Sequence, residues 1–378
     1  MSYALELLND LIAIPSQIGI ENEKNVAQFL ENLLKSKGFD IEKYEFVNGR
    51  PNIIASYTFN NHGLTILFNG HMDTMPADNG EKINVWKTNP FKPEIIDGKL
   101  YGRGACDMKG GIAGALAAIF KFIEENRSAG SIGKIIVNLV CDEENTSLYG
   151  TIPLCERNLL AADIAIVMEP TENKVCKKQL GNMFFESHIL GDGGHTGLPE
   201  GKINPYEIAE DYLKVLKEWI ITKRINKNDS QPFINIGRYE GGTSSGTIPT
   251  ECVLYWGTRV MPYDNFNDYQ KEVDIITEKF NSSLDKRCKI TTKLFESGGI
   301  DSFYSESKWL DKLVKVSEKE ESTFCASSDA GFLKNVAGIE ACVFGPGSLK
   351  QAHLPNEYIE IKELEEYVDV VYKYLKSF

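Results

Sequence analysis

An α/β fold is predicted for this 378-residue chain: a three-layer domain around a mixed, parallel-rich sheet, interrupted by an inserted α+β domain. Three observations predict it. Apolar runs stop abruptly at carboxylates or histidine in TILFNGHMD, KIIVNLVCDEE and ADIAIVMEP, as buried parallel strands do when they deliver polar groups at their C-terminal ends. Helix-like and strand-like segments alternate through the first half and return at the end. Between them, 179–297 reads β-α-β-β-α-β, the split pattern of a ferredoxin-like unit.

In chain order, apolar periodicity predicts helices over 3–13 and 22–38, with Gly38 as a C-cap. Strands follow near 41–46, 52–57 and 64–70. A proline-containing loop leads to GRGACDMKGG, then a helix over 109–126 whose Ala and Gly residues permit close packing on a sheet. Strands near 134–140 and 163–168 flank a further helix. In the insert, FFESHIL, FINIGRYEGG, ECVLYWGTRVMP and KITTKLFE read as strands, and NPYEIAEDYLKVLKEWI and NDYQKEVDIITEKFNSSL as amphipathic helices. SKWLDKLVKVSEKE, EACVFG and LEEYVDVVYKYLKSF restore the α/β pattern. The expected organisation is one discontinuous domain, 1–178 and 298–378, with an inserted lid over 179–297.

Composition narrows the function. A net charge of −13 argues against nucleic-acid binding, which needs a basic face, and GRGACD lacks the third glycine or the Gly-Lys-Ser/Thr of nucleotide loops. No apolar run approaches the ~18–20 residues of a membrane span. The N-terminal stretch carries Glu6 and Asp10 and reads as an amphipathic helix rather than a leader. Eight scattered cysteines without a CxxC pair fit a reduced, cytoplasmic protein with buried thiols.

The strand ends carry the chemistry. His71 and Asp73, two apart, face one side; His71 suits a metal, with Asp73 holding its other ring nitrogen. Asp107, in a glycine-rich turn before a helix, can give one oxygen to each of two ions. Glu143 and Glu144 diverge, one as ligand and the other as acid/base. Glu169 ends the AIVM run, and His353 follows the Gly/Pro turn after EACVF. Two histidines with carboxylates suit two divalent cations, Zn²⁺ first, with Co²⁺ or Mn²⁺ as alternatives.

GHMD, GRGACDMKGG, CDEEN, MEPT and GPGSLKQAHLPNEY resemble, in order and over essentially the whole chain, the motifs of the co-catalytic metallopeptidase family. That family includes acetylornithine deacetylase, succinyl-diaminopimelate desuccinylase, aminoacylase, glutamate carboxypeptidase and several dipeptidases. The resemblance implies that Asp107 bridges two ions, that His71 and Glu169 complete one site, and that Glu144 and His353 complete the other. Glu143 becomes the general base that takes a proton from water and returns it to the leaving amine, and Asp73 orients His71. A cis peptide is implied at Asp107–Met108, and a lid that forms a homodimer. In the lid, GDGGHTGLPEGKINPYE makes His195 the oxyanion-stabilising candidate. GGTSSGTIP and GTRVMP make Gly242, Thr247 and Arg259 substrate-binding candidates, with Arg259 clamping a carboxylate. Thr247 stands where many members have Asn, a residue with a second amide donor.

The resulting expectation is an enzyme that hydrolyses the amide of a small N-acyl amino acid, most like acetylornithine deacetylase or succinyl-diaminopimelate desuccinylase. A dipeptidase or carboxypeptidase of the same family is the alternative, since both cleave an amide beside a carboxylate. A catalytically silent metal-binding homodimer would have no need for Glu143.

Overall fold

The computed structural model describes residues 1–78, 85–126, 130–223, 232–295 and 299–378. These form two compact units, one of residues 1–178, 305–324 and 328–378, the other of 179–304 and 325–327. The expected boundary at 297/298 lies outside the described residues.

The first unit is built on a mixed sheet in which Asp40–Glu45, Pro51–Thr58, Ile132–Val140, Leu64–His71, Ile164–Val167 and Glu340–Val343 are successive neighbours. The first two strands pair antiparallel, and Pro51–Thr58 is antiparallel to Ile132–Val140. The last four strands run parallel to one another. They are buried on both faces and rich in Ile, Val and Leu, as strands covered by helices on both sides must be. Their C-terminal ends therefore lie side by side.

Helices Tyr3–Ile12 and Ile361–Lys376 pack against Lys109–Glu125. That central helix is buried along nearly its whole length, and glycine is what lets it sit so close. A Cβ on Gly111 would lie 2.0 Å from the Met168 carbonyl oxygen, so the helix start abuts the strand end that carries Glu169. Gly38, two residues beyond helix Lys24–Ser36, has φ +85 and caps the helix as expected, its N–H donating to Lys35. The helix expected between Ile132–Val140 and Ile164–Val167 is only Thr151–Glu156.

The second unit is a four-stranded antiparallel sheet with spatial order Ile234–Gly241, Glu251–Val260, Gly181–Leu190, Lys289–Leu294. Helices Pro205–Ile221 and Phe266–Ser283 cover one face, begun by Asn204 and Asn265, whose side chains accept N–H bonds from the first turn. Phe185, Trp256, Tyr212, Leu216 and Ile290 fill the space between. Phe185 and Trp256 stack at 4.4 Å between ring centroids. A two-stranded ribbon pairs His195 with Thr247.

Candidate metal centre

Six of the sequence-derived candidates meet at the C-terminal edge of the parallel strands. His71 ends Leu64–His71, Glu143 and Glu144 follow Ile132–Val140, and Glu169 follows Ile164–Val167. Asp107 sits in the turn before Lys109–Glu125, and its peptide bond to Met108 is cis. His353, at φ +63, lies in the loop after Glu340–Val343.

Two ligand clusters share Asp107: His71, Asp107 and Glu169, and Asp107, Glu144 and His353, each with its donor atoms within 4.8 Å of one another. The shared carboxylate divides its oxygens. Oδ1 lies 3.1 Å from His71 Nε2, and Oδ2 lies 3.4 Å from His353 Nε2. His71 Nε2 is 3.5 Å from Glu169, and His353 Nε2 is 2.8 Å from Glu144. Imidazole nitrogens and carboxylate oxygens on both sides of one bridging carboxylate are a donor set suited to two borderline divalent cations.

His71 is held for this role. Its Nδ1 lies 2.9 Å from the Asp73 main-chain oxygen. An N–H at Nδ1 satisfies that carbonyl and leaves the lone pair on Nε2, toward Asp107 and Glu169. The expected clamp by the Asp73 carboxylate is not what is found. That group is 3.8 Å from Nδ1 and instead accepts the N–H groups of Glu144, at 3.0 Å, and Glu143, at 3.4 Å. The reason is that the turn after Ile132–Val140 leaves these N–H groups without strand partners, and a buried donor must find an acceptor. Asp73 thus holds His71 by its carbonyl and the two glutamates by its side chain.

The field of the site is strongly negative. Burial pushes Glu143 well above the usual carboxylate range, and the negative charges of Asp329, Glu144 and Asp107 add to this against His71. Glu169 is raised for the same reasons, burial first and Asp107 next. Burial also raises Asp73, to about 7. Burial alone would pull His71 down, but Glu169, Asp107 and Glu143 outweigh it and leave the imidazole well above its ordinary value. Hydrogen bonds to Asp107 and Glu144 raise His353 to about 10. Asp107, though buried, is held well below the carboxylate range by both histidines. Two bound cations would occupy the place these protons take.

Glu143 belongs to neither cluster, and its Oε2 is 4.0 Å from His71 Nε2. Asp142, at the same strand end, turns away with φ +68 and pairs with Arg50 at 2.6 Å. Cys106 and Cys141 are buried beside the acidic motifs and outside both clusters.

Further groups, outside the sequence-derived candidates, support the site. Asp329 is buried and accepts from Ser147, Thr151 and Asn69, and Asn69 accepts from Asn138. This polar chain bolts the segment after Glu144 to the strand that carries His71. Glu357 accepts four bonds from the Asp107 turn. Lys109 Nζ donates to the carbonyls of Leu11 and Ile14. The only sequence cue was that Asp329 and Glu357 sit in short polar stretches, SSDAG and HLPNE, beside apolar runs.

The lid candidates all lie in the second unit. His195 is exposed, its Nδ1 accepts from Gly197, and its cross-strand partner is Thr247. Thr247 donates its hydroxyl to Ser244, and Gly242 turns the chain at φ +71. Arg259 stands opposite Asn182 on the sheet. It has no carboxylate partner among the described residues, and burial lowers its pKa.

A mixed, parallel-rich sheet with two ligand clusters joined by one carboxylate at its C-terminal edge defines an α/β metallohydrolase. The family model described as peptidase family M20/M25/M40 matches residues 67–377. The chain belongs to that family, and it is a metal-dependent hydrolase. It is 30% identical to a succinyl-diaminopimelate desuccinylase from Rickettsia akari, covering 98% of both chains. It is 27% identical to an acetylornithine deacetylase from Buchnera aphidicola, covering 99% of this chain and 97% of that one. Among solved structures, an aminopeptidase from Bacillus cereus matches with a TM-score of 0.77 at 18% identity, covering 99% of this chain and 97% of the other. A dinuclear metal-binding peptidase from Bacillus subtilis matches with a TM-score of 0.71 at 15% identity, covering 99% and 98%. These two show the fold. No helix of the described residues is long and apolar enough to cross a membrane.

Proposed function

We propose that this enzyme removes an acyl group from the nitrogen of an N-acyl amino acid, in the manner of the deacetylase and desuccinylase relatives. The observation that carries the reading is the divided carboxylate of Asp107, with one oxygen toward each histidine, and Glu143 left free of both clusters. His71, Asp107 and Glu169 would hold one cation, and Asp107, Glu144 and His353 the other, Zn²⁺ by donor chemistry, with Co²⁺ or Mn²⁺ also compatible. When bound, such a pair polarises the scissile carbonyl and acidifies water.

The chain's own residues do the rest. Glu143, with its pKa raised by burial, is tuned both to accept a proton from the attacking water and to give it to the departing amine nitrogen. Water adds to the carbonyl carbon, the C–N bond then breaks as the tetrahedral adduct collapses and its nitrogen takes the proton from Glu143, and the products are a carboxylic acid and a free amino acid. Asp73 fixes the Glu143 backbone and the His71 ring. In the second unit, Arg259, without an acidic partner among the described residues, is a candidate for the substrate carboxylate, and His195 with Thr247 for the oxyanion. The unit's exposed Phe184, Ile236 and Phe295 support its assignment as a lid that forms a homodimer. Eight cysteines without a disulfide support a cytoplasmic setting.

A panel of N-acetyl and N-succinyl amino acids, acetylornithine included, beside unblocked dipeptides tests this, with Zn²⁺- or Co²⁺-loaded protein and Glu143→Ala as blank. Turnover concentrated on N-acyl amino acids is expected. Turnover on dipeptides alone would move the enzyme to the peptidase side of the family.

A further inference from the structure

The turn that presents Asp107 is buried throughout. It contains Gly102 and Gly104, the latter at φ +82, and four of its donors converge on one side chain. Glu357 Oε1 accepts the N–H groups of Cys106, at 2.8 Å, and Asp107, at 3.0 Å. Its Oε2 accepts the N–H of Gly104, at 3.1 Å, and Arg103 Nη1, at 2.8 Å. The Glu357 main-chain oxygen takes a fifth bond, from Gly102 N–H. Glu357 is fully buried and Arg103 is 1% exposed, so every one of these bonds is made away from water, where an unmade one is expensive. Glu357 stands four residues after His353 in the same loop.

We infer that Glu357 is a positioning residue of the metal centre: it fixes the bridging Asp107 by its backbone and ties the Asp107 turn to the loop that supplies His353, so that both clusters share one geometry. The inference rests on the two-cation reading of the clusters. A carboxylate is needed because all four donors point at it. A carboxamide would keep the shape but turn its own NH₂ against one pair of N–H groups.

The test counts ions rather than product. Chelator-stripped wild type and Glu357→Gln are titrated with Zn²⁺ against a competing indicator, bound metal is measured by elemental analysis, and the Co²⁺-loaded forms are compared by their visible absorption. Wild type is expected to take two ions. Glu357→Gln is expected to bind the second ion about 10–100-fold more weakly, to show an altered Co²⁺ spectrum, and to lose kcat with KM little changed. Leu30→Ala, a core truncation in the helix Lys24–Ser36, controls for lowered stability and is expected to load like wild type. Two ions bound by Glu357→Gln at wild-type affinity, or equal weakening by Leu30→Ala, would overturn the inference. If Glu357→Gln does not fold, Glu357→Asp carries the same test, since it keeps the charge and withdraws the acceptors by one methylene. Because the ion counts and the Co²⁺ spectra use no substrate, an incorrect acyl group leaves those results standing, whereas wild type that takes up no ion overturns the metal reading and this inference together.

Discussion

The two halves of the metal centre are built differently. His71, Asp107 and Glu169 are all buried, and His71 and Glu169 leave directly from strand ends. Glu144 and His353 come from loops, and the His353 side chain is 51% exposed. One half is thus fixed by the sheet, with its donors desolvated before any ion arrives. The other is held by loop contacts and opens to solvent at His353, while the Glu144 side chain is 4% exposed. The difference teaches that a shared ligand does not make the two positions equivalent. The buried half should bind first and release last, because its donors lose little freedom on binding and are screened from water.

Glu143 lies outside both halves and sets the largest expected effect. Glu143→Gln should lower kcat by about 10²–10⁴-fold while both ions stay bound, as read by elemental analysis beside steady-state kinetics. Loss of metal in that variant would place Glu143 among the ligands. The inequality itself is tested by His353→Ala against His71→Ala. Under a chelator pulse, His353→Ala should retain one slowly exchanging ion. His71→Ala should lose that ion, because removing the imidazole leaves buried carboxylates without their nitrogen partner. Identical exchange in the two variants would break the comparison.

Acid should sharpen it. Both histidines must be neutral to ligate, and their raised pKa values mean that protons compete with metal. Affinity should therefore fall as pH is lowered from 8 to 6. The metal-free protein should show the opposite slope. A histidine whose folded pKa is raised stabilises the fold fully below its unfolded value, and that contribution is lost as pH rises through the folded value, about 10 for His353. Melting temperatures of the stripped protein across pH 6–10 should decline, and a flat profile would show that His353 is not paired in solution. The smallest effect is expected for Asp73→Asn. The amide retains one acceptor oxygen for Glu144 N–H but presents NH₂ to Glu143 N–H. It should reduce kcat about tenfold and leave the His71 tether, which uses the main-chain carbonyl, in place.

The sequence made His71, Glu144 and Glu169 legible because each interrupts a periodic signal. TILFNGHMD, KIIVNLVCDEE and ADIAIVMEP are apolar until their last residues, and only a strand end explains such a stop. The structure brings His71, Glu144 and Glu169 together from those positions, and adds Asp107 from the glycine-rich turn before Lys109–Glu125 and His353 from the loop after Glu340–Val343. The α/β layers and the β-α-β-β-α-β insert were legible from alternation for the same reason. The supports were not. Glu357 reaches back 250 residues to the Asp107 N–H and Asp329 182 residues to Ser147, and no local pattern encodes a hydrogen bond over such a span. Asp142 and Glu143 look alike in CDEEN, yet a left-handed backbone at Asp142 sends its carboxylate to Arg50 instead. Asp73 stands out in GHMD, but its acceptor role depends on which N–H groups the neighbouring turn leaves unpaired.

The order of the strands has a consequence for the timing of assembly. Leu64–His71 lies between Ile132–Val140 and Ile164–Val167, so every residue of the buried cluster has been synthesised once Glu169 is made. His353 and Glu357 follow only after the inserted unit has been translated. With elongation at about 5–20 residues per second, the ribosome takes roughly ten seconds or more to supply the last ligand. Over that interval the newborn chain holds one complete set of donors and two of the three of the other.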